Sequence, residues 1–248
     1  MMYTKGEGLP FRKILAVDFE YCGADGELTD VVCMVTQDLQ SGEVSRYWQR
    51  DLLKMKTPPF ETGGDVALIS YFAPAEVQSM LALGWDIDVP VIDLFAEFRC
   101  QTNGNPNVGR KSLIGALQFF ELDHLIPEEK DSMRNLILSG GPWSKPQRSA
   151  ILDYCQQDVV ALGPLLNAML RNAPWSELQF NQALLRGRYM KAVGAMQHRG
   201  IPIDLGMLDK LDANWEKIKL NLIENVDAQY GVYVDGRFKE ALTELVRV

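Results

Sequence analysis

The amino-acid sequence predicts an α/β protein with a mixed central sheet, flanked by helices and followed by a helical C-terminal segment. Three observations support this fold class. Apolar runs typical of buried strands come first in the chain. Strand patterns then alternate with helical patterns, which indicates parallel strands beside an antiparallel edge. From about residue 181 onward, long helical patterns dominate.

The first predicted strand lies in KILAVDFEYCG, residues 13–23, where four consecutive apolar residues indicate burial on both faces. Two further strands are predicted in ELTDVVCMVTQD and SGEVSRYWQR, and the residues LQSG between them suit a hairpin turn. The three strands together predict an antiparallel meander.

The following segment alternates between strands and helices. DVALISYF reads as a buried strand, and Pro74 suits the first turn of a helix that Gly84 would end. VPVIDLF predicts another strand, which leads into AEFRC and a polar loop. SLIGALQFF then has helical spacing.

A longer helix is predicted over residues 145–162. Ser144 and Gln147 have the spacing of a capping box at its start. The pair Gly163 and Pro164 is expected to end it.

The helical C-terminal segment has its own start and stop signals. A first helix would end at Gly200, and Asp204 is the expected N-cap of a second long helix. The predicted boundary therefore separates a domain at residues 1–180 from a segment at 181–248.

Composition and charge narrow the classes of function that the chain can have. The net charge of −8 argues against a protein that wraps duplex phosphates broadly, and residues 1–180 carry 15 basic and 24 acidic side chains. Carboxylates in that part suit an enzyme whose metal ions neutralise phosphate. The four cysteines form no CxxC pair, and no apolar run reaches 18 residues. We expect a cytoplasmic protein with no membrane partner.

Asp18 and Glu20 are the first candidate site residues. Alternation along a strand points both carboxylates to the same side, where their repulsion must be relieved by a cation or a shared proton. A hard divalent metal is one explanation for the pair. The alternative is that the strand has already reached solvent and both groups are hydrated.

Tyr154 and Asp158 are the second candidate pair. They lie four residues apart in the predicted helix and are therefore neighbours along the edge of its apolar stripe. A half-buried tyrosine hydrogen-bonded to an aspartate is the simpler interpretation of this pair alone.

Together these motifs resemble the DEDD superfamily of 3′ to 5′ exonucleases, in the branch whose third motif is Tyr-x-x-x-Asp. VDFEY, YFAPAEVQSMLALGW and YCQQD match its three motifs, and the chain is especially similar to the proofreading domain of phage-like family A DNA polymerases. RGRYMKAVGAMQHRGIPID resembles the segment that opens the polymerase domain. The implied fold is ribonuclease H-like.

The resemblance implies roles for particular residues. Asp18, Glu20 and Asp158 would hold two divalent metal ions, Mg²⁺ or Mn²⁺, and Tyr154 would orient the attacking water. In the second motif Glu76 stands where the family has aspartate, and Phe72 where it usually has asparagine.

The second motif leaves two alternatives open. Glu76 either completes the metal ligands or only complements the dipole of its helix. Asp93 is a competing fourth carboxylate.

The expected function is metal-dependent hydrolysis of single-stranded DNA from its 3′ end to nucleoside monophosphates, without polymerase activity in this chain. Phe19 and Tyr21 would stack on terminal bases, with ordinary strand packing as the alternative for Phe19. A polymerase subunit or domain is a further expected partner, in a bacterial or phage-infected cell. The alternatives are an exoribonuclease of the ribonuclease D kind and a degenerate exonuclease module that acts as a scaffold.

Overall fold

The computed structural model describes residues 2–3, 9–23, 26–123, 127–234 and 237–238. The strands are β1 (Met2–Tyr3), β2 (Lys13–Cys22), β3 (Asp30–Asp38), β4 (Val44–Trp48), β5 (Val66–Ser70), β6 (Val91–Asp93), β7 (Trp175–Ser176), β8 (Tyr233–Val234) and β9 (Arg237–Phe238). The helices are α1 (Gln49–Leu52), α2 (Ala73–Ala82), α3 (Leu94–Gln101), α4 (Leu113–Phe119), α5 (Pro127–Leu138), α6 (Lys145–Asn172), α7 (Glu177–Arg199) and α8 (Leu205–Tyr230).

The central sheet has five strands in the order β4-β3-β2-β5-β6. β2, β3 and β4 pair antiparallel, as the predicted meander requires, whereas β5 and β6 continue the sheet in parallel. β2 therefore lies in the middle of a mixed sheet, with a neighbour on each side. The predicted fold class, a mixed sheet flanked by helices with a helical C-terminal part, is confirmed.

Alternate side chains of β2 enter two cores. Ile14 and Ala16 pack with the apolar stripe of α6 on one face, while Leu15 and Val17 pack with α2 on the other. Helices therefore cover both faces of the strand that carries Asp18 and Glu20.

Helix α6 is longer than the sequence predicts, and the prediction that it ends at Gly163 and Pro164 is wrong. The capping box of Ser144 and Gln147 is present, but the helix continues through Pro164 to Asn172. Proline costs the helix one backbone hydrogen bond. Burial of apolar side chains beyond the proline offsets that cost, and these side chains are Leu165, Leu166, Met169 and Leu170.

Contacts divide the chain into two compact units, Met1–Gly200 and Ile201–Val248. Helix α7 belongs to the first unit, where it contacts α2 and β6. The second unit contains α8, capped by Asp204 as predicted, and the β8–β9 pair. The resemblance of residues 181–248 to the start of a polymerase domain stays a prediction.

In the part of the chain that the structure describes, helices with the length and apolar character needed to span a bilayer are lacking.

Candidate metal centre

Four carboxylates come together from three elements. Asp18 and Glu20 lie on the central strand β2, opposite Val35 and Cys33 of β3. Glu76 lies in the first turn of α2 and Asp158 in the middle of α6, so the two helices approach the strand from opposite faces. Glu76 and Asp158 lie near enough to Asp18 for their carboxyl groups to interact with it, while in the described part of the chain Asp18, Glu20 and Cys155 have ligand atoms within 4.8 Å of one another.

Burial and mutual repulsion dominate the electrostatics of this cluster. Burial, followed by the charge of Asp158, raises the pKa of Asp18 to about 7. Burial, followed by the charge of Asp18, also raises the pKa of Glu20 and of Glu76 well above the usual range. Both side chains are nevertheless partly exposed, so they lie at the border between the core and solvent.

Glu76 is buried more deeply than a dipole-complementing glutamate needs to be. Its side chain is 3% exposed, and its Oε2 has no hydrogen-bond partner among the described residues. A buried carboxylate oxygen without a partner is costly unless a cation binds it. The role of Glu76 as a metal ligand stays a prediction, and this buried oxygen is the observation that motivates its test.

Asp93 has a structural task that occupies its carboxylate. It is fully buried and accepts hydrogen bonds from the backbone amides of Phe72 (3.3 Å), Ala73 (2.9 Å), Phe95 (2.9 Å) and Ala96 (3.2 Å). These bonds join the start of α2 to the start of α3, and they explain why α3 begins at Leu94 inside the predicted strand VPVIDLF. The capping role of Asp93 therefore accounts for its burial without a metal ion.

Lys130 is a site residue that the sequence analysis missed. Its Nζ is 2.7 Å from Asp158 Oδ2 and 5.5 Å from the centre of the Tyr154 ring. Burial raises the pKa of Asp158, and the positive charge of Lys130 partly offsets that rise. Lys130 lies on α5, in a region where the sequence analysis predicts no element and where neighbouring residues carry no recognisable motif.

Tyr154 lies beside the carboxylates with most of its side chain buried. Burial, followed by the charge of Asp158, raises the pKa of its phenol above the ordinary range. The hydroxyl therefore keeps its proton and is a hydrogen-bond donor at the edge of the cluster.

A cleft of about 490 Å³ opens beside the carboxylates. Its walls combine acidic, basic and aromatic side chains. The lining residues are Asp18, Tyr71, Phe72, Phe95, Lys111, Ser112, Leu113, Lys130 and Asp158. The cleft therefore joins the metal-ligand candidates to an aromatic surface.

Phe72 holds a strained conformation at this cleft. Its φ of 82° and ψ of 61° lie in the left-handed region, which favours glycine or asparagine. Its backbone N–H donates a hydrogen bond to Asp93 Oδ1, and its ring packs perpendicular to that of Phe95 at 5.3 Å between centroids; both contacts hold it there. Its side chain is nevertheless 39% exposed. Strain at an exposed aromatic residue is typical of a ligand-contacting position.

The two predicted stacking residues lie in different environments. Phe19 is 4% exposed and packs with Leu15 and Val17, so the strand-packing alternative describes it. Tyr21 follows a bulge in β2 and is 40% exposed. Burial, followed by the charge of Glu76, raises the pKa of its phenol. Its stacking role stays a prediction.

The donor set fits hard divalent cations. Mg²⁺ and Mn²⁺ prefer carboxylate oxygens, and a cation would relieve the repulsion and the partnerless oxygen described above. Asp18, Glu20, Glu76 and Asp158 are the residues that would hold it.

Comparison with known proteins places the fold among nucleases. No protein-family model matches the chain, and no curated protein matches it in sequence. A nuclease solved in its apo form aligns over 77% of this chain and 86% of its own, with 15% identity and a TM-score of 0.53. NrnC of Brucella melitensis aligns over 75% and 85%, with 14% identity and a TM-score of 0.50.

A third structure is less similar. Escherichia coli RNase D, described as an exoribonuclease involved in structured RNA processing, has 14% identity and a TM-score of 0.47 over 76% of this chain and 46% of its own. The first two show that the chain has the ribonuclease H-like fold of nucleases, as its sequence predicts.

Replacing Glu76 with glutamine tests its role as a ligand. Saturating Mn²⁺ should raise the melting temperature of the original protein, and we expect a smaller rise in Glu76→Gln. Loss of one anionic ligand should weaken binding about tenfold or more, which removes about 1.4 kcal/mol of metal-induced stabilisation. Melting curves with Mn²⁺ and with EDTA measure the difference.

Glu177→Gln is the matched control, because Glu177 is an exposed acid in the first turn of α7. It should cost about 0.3 to 1 kcal/mol through the helix dipole and leave the Mn²⁺ effect unchanged. An equal Mn²⁺ effect in Glu76→Gln and the original protein would show that Glu76 is not a ligand.

Lys130→Met tests the pairing with Asp158. Without metal, the variant should lose about 1 to 3 kcal/mol of stability, because the mostly buried Asp158 carboxylate no longer has the Lys130 ammonium group as its partner. Mn²⁺ should restore more stability to the variant than to the original protein. Arg46→Met is the control, since Arg46 pairs with Asp153 of the same helix at 2.7 Å but is more exposed. Equal losses in both variants would contradict a special role for Lys130.

Proposed function

We propose that this chain is a metal-dependent 3′ to 5′ exonuclease that shortens single-stranded DNA to nucleoside monophosphates. The proposal is carried by the proximity of Asp18, Glu20, Glu76 and Asp158, whose pKa values burial raises, to Tyr154 and Lys130. Asp18, Lys130 and Asp158 also line the open cleft. The likeness of the fold to two nucleases supports the reaction class. The choice of DNA and the polarity depend on the resemblance of its motifs to Tyr-type proofreading exonucleases.

Each side chain has a task in this reaction. Asp18, Glu20, Glu76 and Asp158 would hold the divalent ions. When bound, such ions polarise the phosphodiester and lower the pKa of a water molecule that attacks phosphorus in line with the leaving 3′ oxygen. Tyr154 orients that water through its hydroxyl, which burial keeps protonated. Lys130 holds Asp158 in place and contributes positive charge to the cleft.

The walls of the cleft suit a nucleotide chain. Lys111 and Lys130 place positive charge beside the carboxylates, where a phosphate would otherwise be repelled. Phe72 offers an exposed ring at the same cleft, where the π-face of a nucleobase can stack. Phe72 therefore takes the stacking role that the sequence analysis assigns to Phe19.

The resemblance to family A polymerases extends the proposal beyond this site. Residues 181–248 would then connect to a polymerase domain or subunit as the protein partner. We also propose a cytoplasmic location, because all four cysteines are free thiols.

The activity test compares matched DNA and RNA single strands that carry a 5′ label, each with Mn²⁺, Mg²⁺ or EDTA. We expect a ladder of products shortened from the 3′ end, dependence on the metal, and faster loss of DNA. Asp18→Asn serves as the inactive control. Faster loss of RNA would overturn the substrate, and shortening from the 5′ end would overturn the polarity. Absence of metal-dependent cleavage would instead favour the scaffold alternative.

Tyr154→Phe tests the water-orienting role. The ring and its packing remain, so the melting temperature should change little, whereas kcat should fall about 10²-fold or more because a positioned group is lost. Steady-state kinetics on the DNA strand measures the fall. Tyr189→Phe, an exposed site on α7, controls for loss of a hydroxyl. Unchanged kcat in Tyr154→Phe would make Tyr154 a structural residue.

Phe72→Asn tests base stacking. Asparagine tolerates the left-handed conformation but has no ring, so stability should hold or rise while KM increases about 5- to 150-fold, the equivalent of about 1 to 3 kcal/mol for one stacked base. The same KM comparison is then made with strands that carry an abasic residue at either of the last two 3′ positions.

The abasic strands identify the partner of the ring. For the strand that lacks the stacked base, Phe72→Asn should have no further effect on KM. A penalty that persists on both abasic strands would show that Phe72 acts through the backbone of the cleft and not through a base.

A further inference from the structure

A second pocket, which we call the α2–α7 pocket, lies between the sheet and these two helices. Its volume is about 250 Å³, and its lining residues differ from those of the cleft beside the carboxylates. Val17, Leu68 and Trp85 are buried in its walls, while Ala192 and Ala195 of α7 are exposed and lie where the pocket meets solvent. The whole pocket belongs to the first compact unit.

The α2–α7 pocket is not the result of loose docking of α7. A side chain at Gly194 of α7 would come within 2.8 Å of Val77 Cβ and 2.9 Å of the Pro74 carbonyl oxygen, so the two helices are in close contact there. The small side chains of Ala192 and Ala195 leave the space beside this contact. Protein interiors contain few voids larger than a water molecule, and a cavity of about 150 Å³ holds benzene. The α2–α7 pocket can therefore hold on the order of ten heavy atoms.

One wall of the pocket is held in place by Lys191. Its Nζ donates hydrogen bonds to the main-chain oxygens of Ile87 and Val89, each at 3.2 Å, and lies 3.6 Å from Asp88. The wall is thus formed before a ligand arrives, as is usual for small-molecule sites. Because the ammonium group is already bonded and neutralised, Lys191 offers the pocket mainly its apolar stem, and an anionic ligand has little to gain here.

Glu76 supplies a hydrogen-bond acceptor among these apolar walls. It lines the pocket, its side chain is 3% exposed, and its Oε2 lacks a hydrogen-bond partner among the described residues. A ligand that carries an N–H or O–H donor would satisfy this oxygen. The same oxygen motivates the metal test above, so the two roles have to be measured separately.

We infer that the α2–α7 pocket binds a small, neutral, mostly apolar molecule that donates one hydrogen bond to Glu76. The apolar walls supply burial, and the single acceptor fixes the orientation of the ligand. The inference goes beyond the proposed hydrolysis and does not depend on it, because binding is measured without metal or nucleic acid.

The first test compares two probes by calorimetry on the full chain in EDTA. Indole has a suitable size and one N–H donor, whereas benzofuran has the same ring shape without the donor. We expect one indole per chain and an affinity for benzofuran that is about tenfold lower or more, because the bond to a buried carboxylate is lost. In Glu76→Met, which removes the acceptor, the two probes should bind with equal affinity.

The second test fills the opening of the pocket. Ala195→Leu should weaken indole binding about tenfold or more, because the larger side chain occupies the space of the ligand. Ala213→Leu is the matched control, since Ala213 is an exposed helical alanine of α8 outside the pocket, and it should leave the affinity unchanged. Ala192→Leu takes the place of Ala195→Leu if a melting curve shows that the latter does not fold.

Two results would overturn the site: absence of one-to-one indole binding to the original protein, or equal indole affinity in the original protein and the filled variant. Equal affinities of indole and benzofuran for the original protein would overturn the role of Glu76 as the acceptor. A preference for indole that persists in Glu76→Met would do the same.

Discussion

Repulsion among Asp18, Glu20, Glu76 and Asp158 is the constraint around which the first unit is organised. The sheet and two helices hold these carboxyl groups together where water screens them poorly, and burial raises the pKa of each one. One ammonium group, from Lys130, contacts Asp158. The rest of the negative charge must be balanced by protons or cations, so the apolar packing that builds this fold also concentrates the charge that a metal ion would neutralise.

Two acidic residues outside the cluster hold the supporting elements in place. Asp93 accepts hydrogen bonds from the backbone amides at the starts of α2 and α3. These bonds fix the start of α2 and thereby the position of Glu76 one turn later. The nearly inaccessible Glu97 of α3 accepts two hydrogen bonds from Arg186 of α7, at 2.6 and 2.7 Å. Buried charges are tolerated here because each carboxylate is fully hydrogen-bonded. Glu76 differs from them in retaining a partnerless oxygen.

Local patterns predicted the mixed sheet and the pairing of Asp18 with Glu20 on one side of a strand, because alternation directly reflects strand geometry. The grouping of Glu76 and Asp158 with this pair was implied by the resemblance to the exonuclease motifs. Three features could not be predicted from local sequence patterns. Lys130 reaches Asp158 only through the docking of α5 on the rest of the unit. Pro164 is overridden by tertiary burial of the residues that follow it. The left-handed backbone of Phe72 is imposed by Asp93, which is 21 residues away in the chain.

The order in which the chain is made has a consequence for this centre. Translation delivers β2 and α2 early, but Asp158 follows Glu76 by 82 residues, and α6 also covers Ile14 and Ala16 of the sheet. A nascent chain that has not yet released α6 from the ribosome holds three of the carboxylates without the fourth, and it lacks the helix that covers Ile14 and Ala16. Long-range pairing of this kind is slow to form. The carboxylate cluster is therefore completed late in synthesis, after most of the first unit has been translated.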